Sequence, residues 1–179
     1  MFEKMNLTPL GISILTFLAR NPNKEFYLRE IAKTIPVSVG GTHKVLKSLH
    51  ELGFVKVRKS GKNLYYQIND RNPSIKNFKI FMTVTELNSV LDDIKNKSEK
   101  VVLFGSCAKG EDTIDSDIDL LILSRDTVAI KDYLKKKKIG RRIQAIVVNA
   151  SELIKLKEQD KAFYDEVKNG IILWDVKNE

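Results

Sequence analysis

Two short apolar runs constrain this chain more than any other feature. They are Val101-Val102-Leu103-Phe104 and Ile118-Asp119-Leu120-Leu121-Ile122-Leu123. Runs of this length, bounded by turn residues, read as buried strands. The first ends in Gly105-Ser106, and the second is led in by Ser116-Asp117. Side chains alternate along a strand, so Asp117 and Asp119 point to one face and Ile118 to the other. Two carboxylates at the head of an apolar strand are costly unless something neutralises them. A divalent cation held by oxygen ligands is the natural partner. Gly105 lets the backbone approach a ligand closely, and Ser106 adds a hydroxyl. The backbone N–H groups that follow can receive phosphate oxygens at a helix start or nest. A phosphate cradle beside a two-carboxylate metal site is what nucleotidyl transfer requires.

The wording of this stretch resembles the minimal nucleotidyltransferases of the DNA polymerase β-like superfamily. Their signature is Gly-Ser, a nearby glycine and a spaced Asp-x-Asp. Here it reads Gly105-Ser106-Cys107-Ala108-Lys109-Gly110, then Ser116-Asp117-Ile118-Asp119. Compatible strands and helices extend the likeness to about residue 174. The resemblance implies Gly105, Ser106 and Ser116 as nucleotide-binding residues. It implies Asp117 and Asp119 as catalytic ligands of Mg²⁺ or Mn²⁺, with a nucleoside triphosphate such as ATP as substrate or ligand. The family also places a third acid on a later strand. The matching strand is Arg142–Val148, where Gln144 stands in that place. A neutral amide is a poor general base and a weak Mg²⁺ ligand. Glu111, Asp112, Asp115 and Glu152 are the acids that stand to replace it. Cys107 reads as a small filler.

Charge divides the chain. Of 179 residues and a net +8, residues 1–70 hold eleven basic and five acidic side chains, a net of +6. That is the balance of a basic nucleic-acid module joined to a near-neutral domain. Leu7, Leu10, Ile14, Leu15, Phe17 and Leu18 space a helix over 7–19, stopped by Asn21-Pro22-Asn23. Leu28, Ile31, Ala32 and Ile35 mark a second helix, ended by Pro36. Ser38 caps a third, with Val45, Leu46, Leu49 and Leu52 as its apolar stripe and Gly53 at its end. Val55 and Val57, then Leu64, Tyr66 and Ile68, alternate around Ser60-Gly61-Lys62-Asn63 as a hairpin.

Three helices followed by a hairpin, with Tyr27-Leu28-Arg29-Glu30-Ile31-Ala32 and Glu51-Leu52-Gly53-Phe54-Val55, resemble a winged helix-turn-helix domain. The partner this implies is double-stranded DNA. Ser38, Val39, Gly41, Thr42 and His43 would approach base edges, and Lys44 and Lys47 phosphates. Arg58, Lys59, Lys62 and Asn63 would meet phosphates or the minor groove. His50 reads as a surface or boundary residue.

The expected organisation is α+β: a winged helix-turn-helix over 1–70, a helical connector over 71–97, and a nucleotidyltransferase-like mixed sheet flanked by helices over 98–179. The connector's apolar positions predict two helices, with Thr85 capping the second, and offer a homodimer surface through 72–97. Lys135–Lys138 reads as a solvated helix end, Leu153, Ile154, Leu156, Phe163, Tyr164 and Val167 as two packed helices, and Ile171–Trp174 as a last strand. One cysteine excludes a disulfide scaffold and a cysteine zinc site, and two histidines exclude a His-rich metal cluster. The longest uncharged run, Met5–Ala19, is too short for a membrane span, and a cytoplasmic protein is expected. Three functions fit. One is a DNA-binding transcriptional regulator carrying a Mg-nucleotide-binding domain. Another is an active transferase of nucleoside monophosphate to a hydroxyl, recruited by the winged domain. The third is a protein–protein adaptor.

Overall fold

The computed structural model describes residues 8–35 and 37–176. Leu7 and Pro36, used above as a helix start and a helix stop, lie outside the described residues. The chain divides into two units, Met1–Asn77 and Phe78–Glu179.

In the first unit the order is α1 (Pro9–Ala19), β1 (Phe26–Tyr27), α2 (Leu28–Thr34), α3 (Val39–Glu51), β2 (Val55–Ser60) and β3 (Asn63–Ile68). Thr8 caps α1 by accepting the Gly11 N–H at 3.1 Å, with Pro9 in the first turn where it needs no N–H partner. Ser38 caps α3 the same way. The end of α3 is set by Gly53 at φ +72°. The Gly53 N–H donates to His50 O and the Phe54 N–H to Leu49 O, the paired closure that a left-handed residue permits. β3 lies between β1 and β2, all antiparallel. Ile14, Leu15, Leu18, Ile31, Leu46, Leu49, Tyr66 and Ile68 are buried between the helices and this sheet.

One helix, α4 (Pro73–Ile94), occupies the connector where the sequence pattern predicts two. No Gly or Pro interrupts residues 74–94. Thr85 does not cap. Its hydroxyl donates to Phe81 O one turn back at 2.8 Å, so it is satisfied inside a continuing helix.

The second unit adds β4 (Lys100–Phe104), α5 (Gly105–Lys109), β5 (Ile118–Leu123), α6 (Thr127–Lys136), β6 (Ile143–Val148), α7 (Ala150–Gln159), α8 (Lys161–Lys168) and β7 (Ile171–Asp175). The sheet order is β6-β5-β4-β7, with β5 and β6 parallel and the other pairs antiparallel. Strand alternation sorts two cores. Val101, Leu103, Ile118, Leu120 and Ile122 pack with Leu87, Val90 and Ile94 of α4 and Ile130 of α6. Val102, Phe104 and Leu121 pack with Val167 and Phe163 of α8 and with Leu153 and Leu156 of α7. Ile154 does not join them and is 60% exposed. Trp174 packs on the first core and donates its indole N–H to Ser98 O at 3.1 Å. The molecule is an α+β protein. Among the described residues no helix is long and apolar enough to cross a membrane.

Candidate functional site

Three strand ends meet at the site. Antiparallel pairing sets Phe104, the last residue of β4, opposite Asp119 near the start of β5. Parallel pairing sets Asp119 beside Gln144, near the start of β6. Register partners share a face, so Phe104, Asp119 and Gln144 lie on the α7/α8 side of the sheet. The Phe104 and Phe163 rings meet edge-on at 5.4 Å, which seats α8 over this face.

Gly105 begins α5 at φ +68°. A Cβ built on it would lie 2.5 Å from Asp119 Oδ2. Any side chain here would fill the space at the carboxylate, so glycine keeps backbone and Asp119 in close approach. Asp117 directly precedes β5, and its Oδ2 is 3.9 Å from Arg142 Nη1. Burial, then the charges of Asp117 and Glu166, hold the Asp119 carboxyl above the usual range. A carboxylate that is partly buried and repelled by two others is relieved by a divalent cation. The two aspartates therefore fit a metal, although among the described residues no group of three or more His, Cys, Asp or Glu is arranged to hold one.

Gln144 stands beside Asp119 in register. Two of the alternative acids are committed elsewhere. Asp112 is fully buried beneath Arg141, and Glu152 accepts the Asn149 N–H in a capping box at the head of α7. Glu166, on α8, is the acid that sequence reasoning missed. It lies 57 residues from Lys109, whose ammonium donates to its Oε1 at 2.8 Å. This contact raises the Lys109 pKa. No local pattern announces such a pairing. Ser116 spends its hydroxyl on the turn before Asp117, accepting the Thr113 N–H at 2.9 Å. Cys107 is a buried filler, donating to Asp117 O at 3.3 Å.

Arg141 anchors the surroundings. Its guanidinium donates to Asp112 Oδ2 at 2.8 Å, Thr83 Oγ1 at 2.8 Å and Glu86 Oε2 at 3.0 Å, and Nη1 lies 3.4 Å from Cys107 Sγ. Lys79 adds an ion pair to Asp112 at 3.8 Å. These bonds tie α4 to the loop that leads into Asp117.

In the first unit the predicted contact residues separate. Ser38 is the α3 cap. Thr42 is 0% exposed and donates to Ser38 O at 3.0 Å, so it belongs to the core of the unit and presents no edge outward. His43, Lys44, Lys47, Lys59 and Lys62 are exposed. His43 and Lys62 line one cleft of about 480 Å³ with Arg29, Tyr27 and Tyr65. Arg58 forms a two-pronged bond to Glu25 and lies 4.8 Å from the Tyr65 ring centre. His50 Nδ1 lies 2.9 Å from Val55 O, at the boundary of α3 and β2.

The model of the Nucleotidyltransferase domain family matches residues 85–173. A Methanocaldococcus jannaschii protein named "Putative protein adenylyltransferase MJ0141" is 36% identical over 77 residues, covering 42% of this chain and 78% of that protein. A Sulfolobus solfataricus structure, "a putative nucleotidyltransferase", aligns at TM-score 0.40 and 18% identity over 59% of this chain and 92% of that one. A Mycobacterium bovis "possible transcriptional regulatory protein" fragment aligns at TM-score 0.40 and 23% identity over 47% and 86%. Both structural likenesses are loose. The family model spans Gly105, Asp117 and Asp119, and the sequence match covers more than three quarters of the M. jannaschii protein at 36% identity, so the chain belongs to the Nucleotidyltransferase domain family.

Proposed function

We propose that the second unit binds a nucleoside triphosphate with Mg²⁺ or Mn²⁺ and transfers its nucleoside monophosphate to a hydroxyl acceptor. The first unit, read as a winged helix-turn-helix domain, recruits the protein to duplex DNA. The observation that carries the reading is the approach of Gly105 to Asp119, with Asp117 beside it. Asp117 and Asp119 hold the cation. When bound, the cation withdraws electrons from the α-phosphate and stabilises departing pyrophosphate. Gly105 and Ser106 receive the phosphates. The acceptor oxygen forms the new O–P bond, the α–β bridge breaks, pyrophosphate leaves, and the hydroxyl proton passes to a base. The name of the M. jannaschii relative favours adenylyl as the group and a protein as the acceptor.

Gln144 beside Asp119 favours a second reading. In it the unit holds Mg-nucleotide without transfer and reports nucleotide level to the DNA-binding unit. Incubation with radiolabelled ATP, the other three triphosphates, Mg²⁺ and candidate acceptors separates the two. The first reading expects label transfer that Asp117→Asn with Asp119→Asn abolishes. Nucleotide binding without transfer, lost in the same double variant, supports the second. Absence of both overturns the site.

A further inference from the structure

We infer that Arg142 is a phosphate-binding side chain of this site, paired with Asp117 until the cation arrives. The inference rests on the nucleotide-binding reading above. Parallel pairing sets Ile118 beside Ile143 and Asp119 beside Gln144, and just before these pairs Asp117 Oδ2 lies 3.9 Å from Arg142 Nη1. The Ile118 N–H donates to Arg142 O at 2.9 Å, which fixes the Arg142 backbone against the head of β5. The site is thus a two-by-two array, with two carboxylates on one strand and a guanidinium and an amide on its neighbour. Arg142 and Gln144 alternate onto the face that carries Asp119.

The two adjacent arginines have opposite fates. The Arg141 side chain is 9% exposed and committed to four partners, whereas that of Arg142 is 78% exposed. Its contact with Asp117, at 3.9 Å, is an attraction too long for a hydrogen bond. A guanidinium so placed is drawn to the carboxylate while the site is empty of cation. Once the cation holds Asp117, Arg142 turns its donors to the β- and γ-phosphate oxygens, for which its planar fork is suited. Where the family carries an acid on this strand, this chain presents a cation and an amide. The exchange trades metal affinity for triphosphate affinity.

The test uses the full chain and two probes. Mn²⁺ alone is followed by electron paramagnetic resonance. α,β-Methylene-ATP is titrated by calorimetry at saturating Mn²⁺. Arg142→Ala removes a competitor for Asp117, so Mn²⁺ alone binds about two- to fivefold tighter, the scale of an exposed ion pair. The same variant loses charge-assisted hydrogen bonds to phosphate, so the analogue binds about tenfold more weakly. Arg142→Lys restores part of both. Opposite signs for the two probes are the signature, because a merely structural residue moves both in one direction. Equal or absent shifts in Arg142→Ala overturn the inference while leaving the site intact. A wild-type protein that binds neither probe overturns the nucleotide-binding reading itself.

Discussion

Each unit of this chain contains an arginine gripping a carboxylate, and the two grips differ in every consequence. In the second unit Arg141 and Asp112 are 9% and 0% exposed, with Lys79, Thr83, Glu86 and Cys107 around them. In the first unit Arg58 and Glu25 are 54% and 34% exposed. Water screens Arg58 and Glu25 and leaves each of them hydrated if the other is removed. The buried pair lacks that fallback, because water does not reach the interior to replace the partner that is removed. The contact is the same chemistry in both places. Its surroundings decide whether it holds a fold together or tunes a surface. The candidate functions divide along the same line. The aspartate pair is positioned by backbone register and a glycine contact, so single changes there are close to all or none. The basic face of the first unit is a set of exposed side chains whose effects add in small steps.

The largest expected effect tests the buried side. Asp112→Ala leaves Lys79 and Arg141 without their shared counter-charge, which costs about 3–5 kcal/mol of stability, the range for breaking one partner of a buried ion pair. Chemical denaturation of the full chain measures it. A loss below about 1 kcal/mol, the ceiling for an exposed pair, would erase the distinction.

Asp119→Asn has the opposite sign. The folded state raises the Asp119 pKa, chiefly by burial and then by the charges of Asp117 and Glu166. A raised carboxyl pKa means that the folded state favours the protonated form. Stability is therefore full below the ordinary value of 3.8 and is lost as pH rises through the elevated one. With divalent cations removed by chelation, Asp119→Asn melts higher than wild type at neutral pH. The gain shrinks to nothing as pH falls toward the ordinary carboxylate range. Lower melting of the variant at neutral pH would mean that the carboxylate is stabilised in the fold, and the case for cation relief would fail.

The contrast also explains what could be read from sequence. Gly105-Ser106 and Asp117-x-Asp119 were legible because each is local and sits at the end of an apolar strand, where pattern and chemistry coincide. The caps Ser38 and Gly53 and the hairpin were legible for the same reason. Glu166 was not, because its approach to Lys109 depends on how α8 lies on the sheet. Nor was the difference between Arg141 and Arg142, which are neighbours of one type. Only the register of β6 and the packing of α4 send one inward and leave the other outward. Thr42 misled in the same way. A polar residue near the start of α3 looked outward-facing, and the helix phase turned it into the core. The connector misled through its apolar spacing, which falls into two sets although one helix runs from Pro73 to Ile94.

The smallest effect tests the exposed side. Glu25→Gln breaks the Arg58 pair, and melting shifts only slightly because both groups stay in water. Its value lies in DNA binding. With Glu25 neutral, residues 1–70 go from +6 to +7, and Arg58 is released from a partner that lowers its availability to phosphate. If the hairpin meets the duplex, affinity for nonspecific double-stranded DNA rises, and the plot of log affinity against log salt steepens by up to about one unit, the yield of one added phosphate contact. Arg58→Ala gives no such steepening, since the side chain that would make the contact is gone. A Glu25→Gln protein that binds more tightly with an unchanged slope places the gain in general repulsion and not in a contact. Unchanged affinity and slope in both variants would take the hairpin off the DNA and leave Lys44 and Lys47 of α3 to carry it.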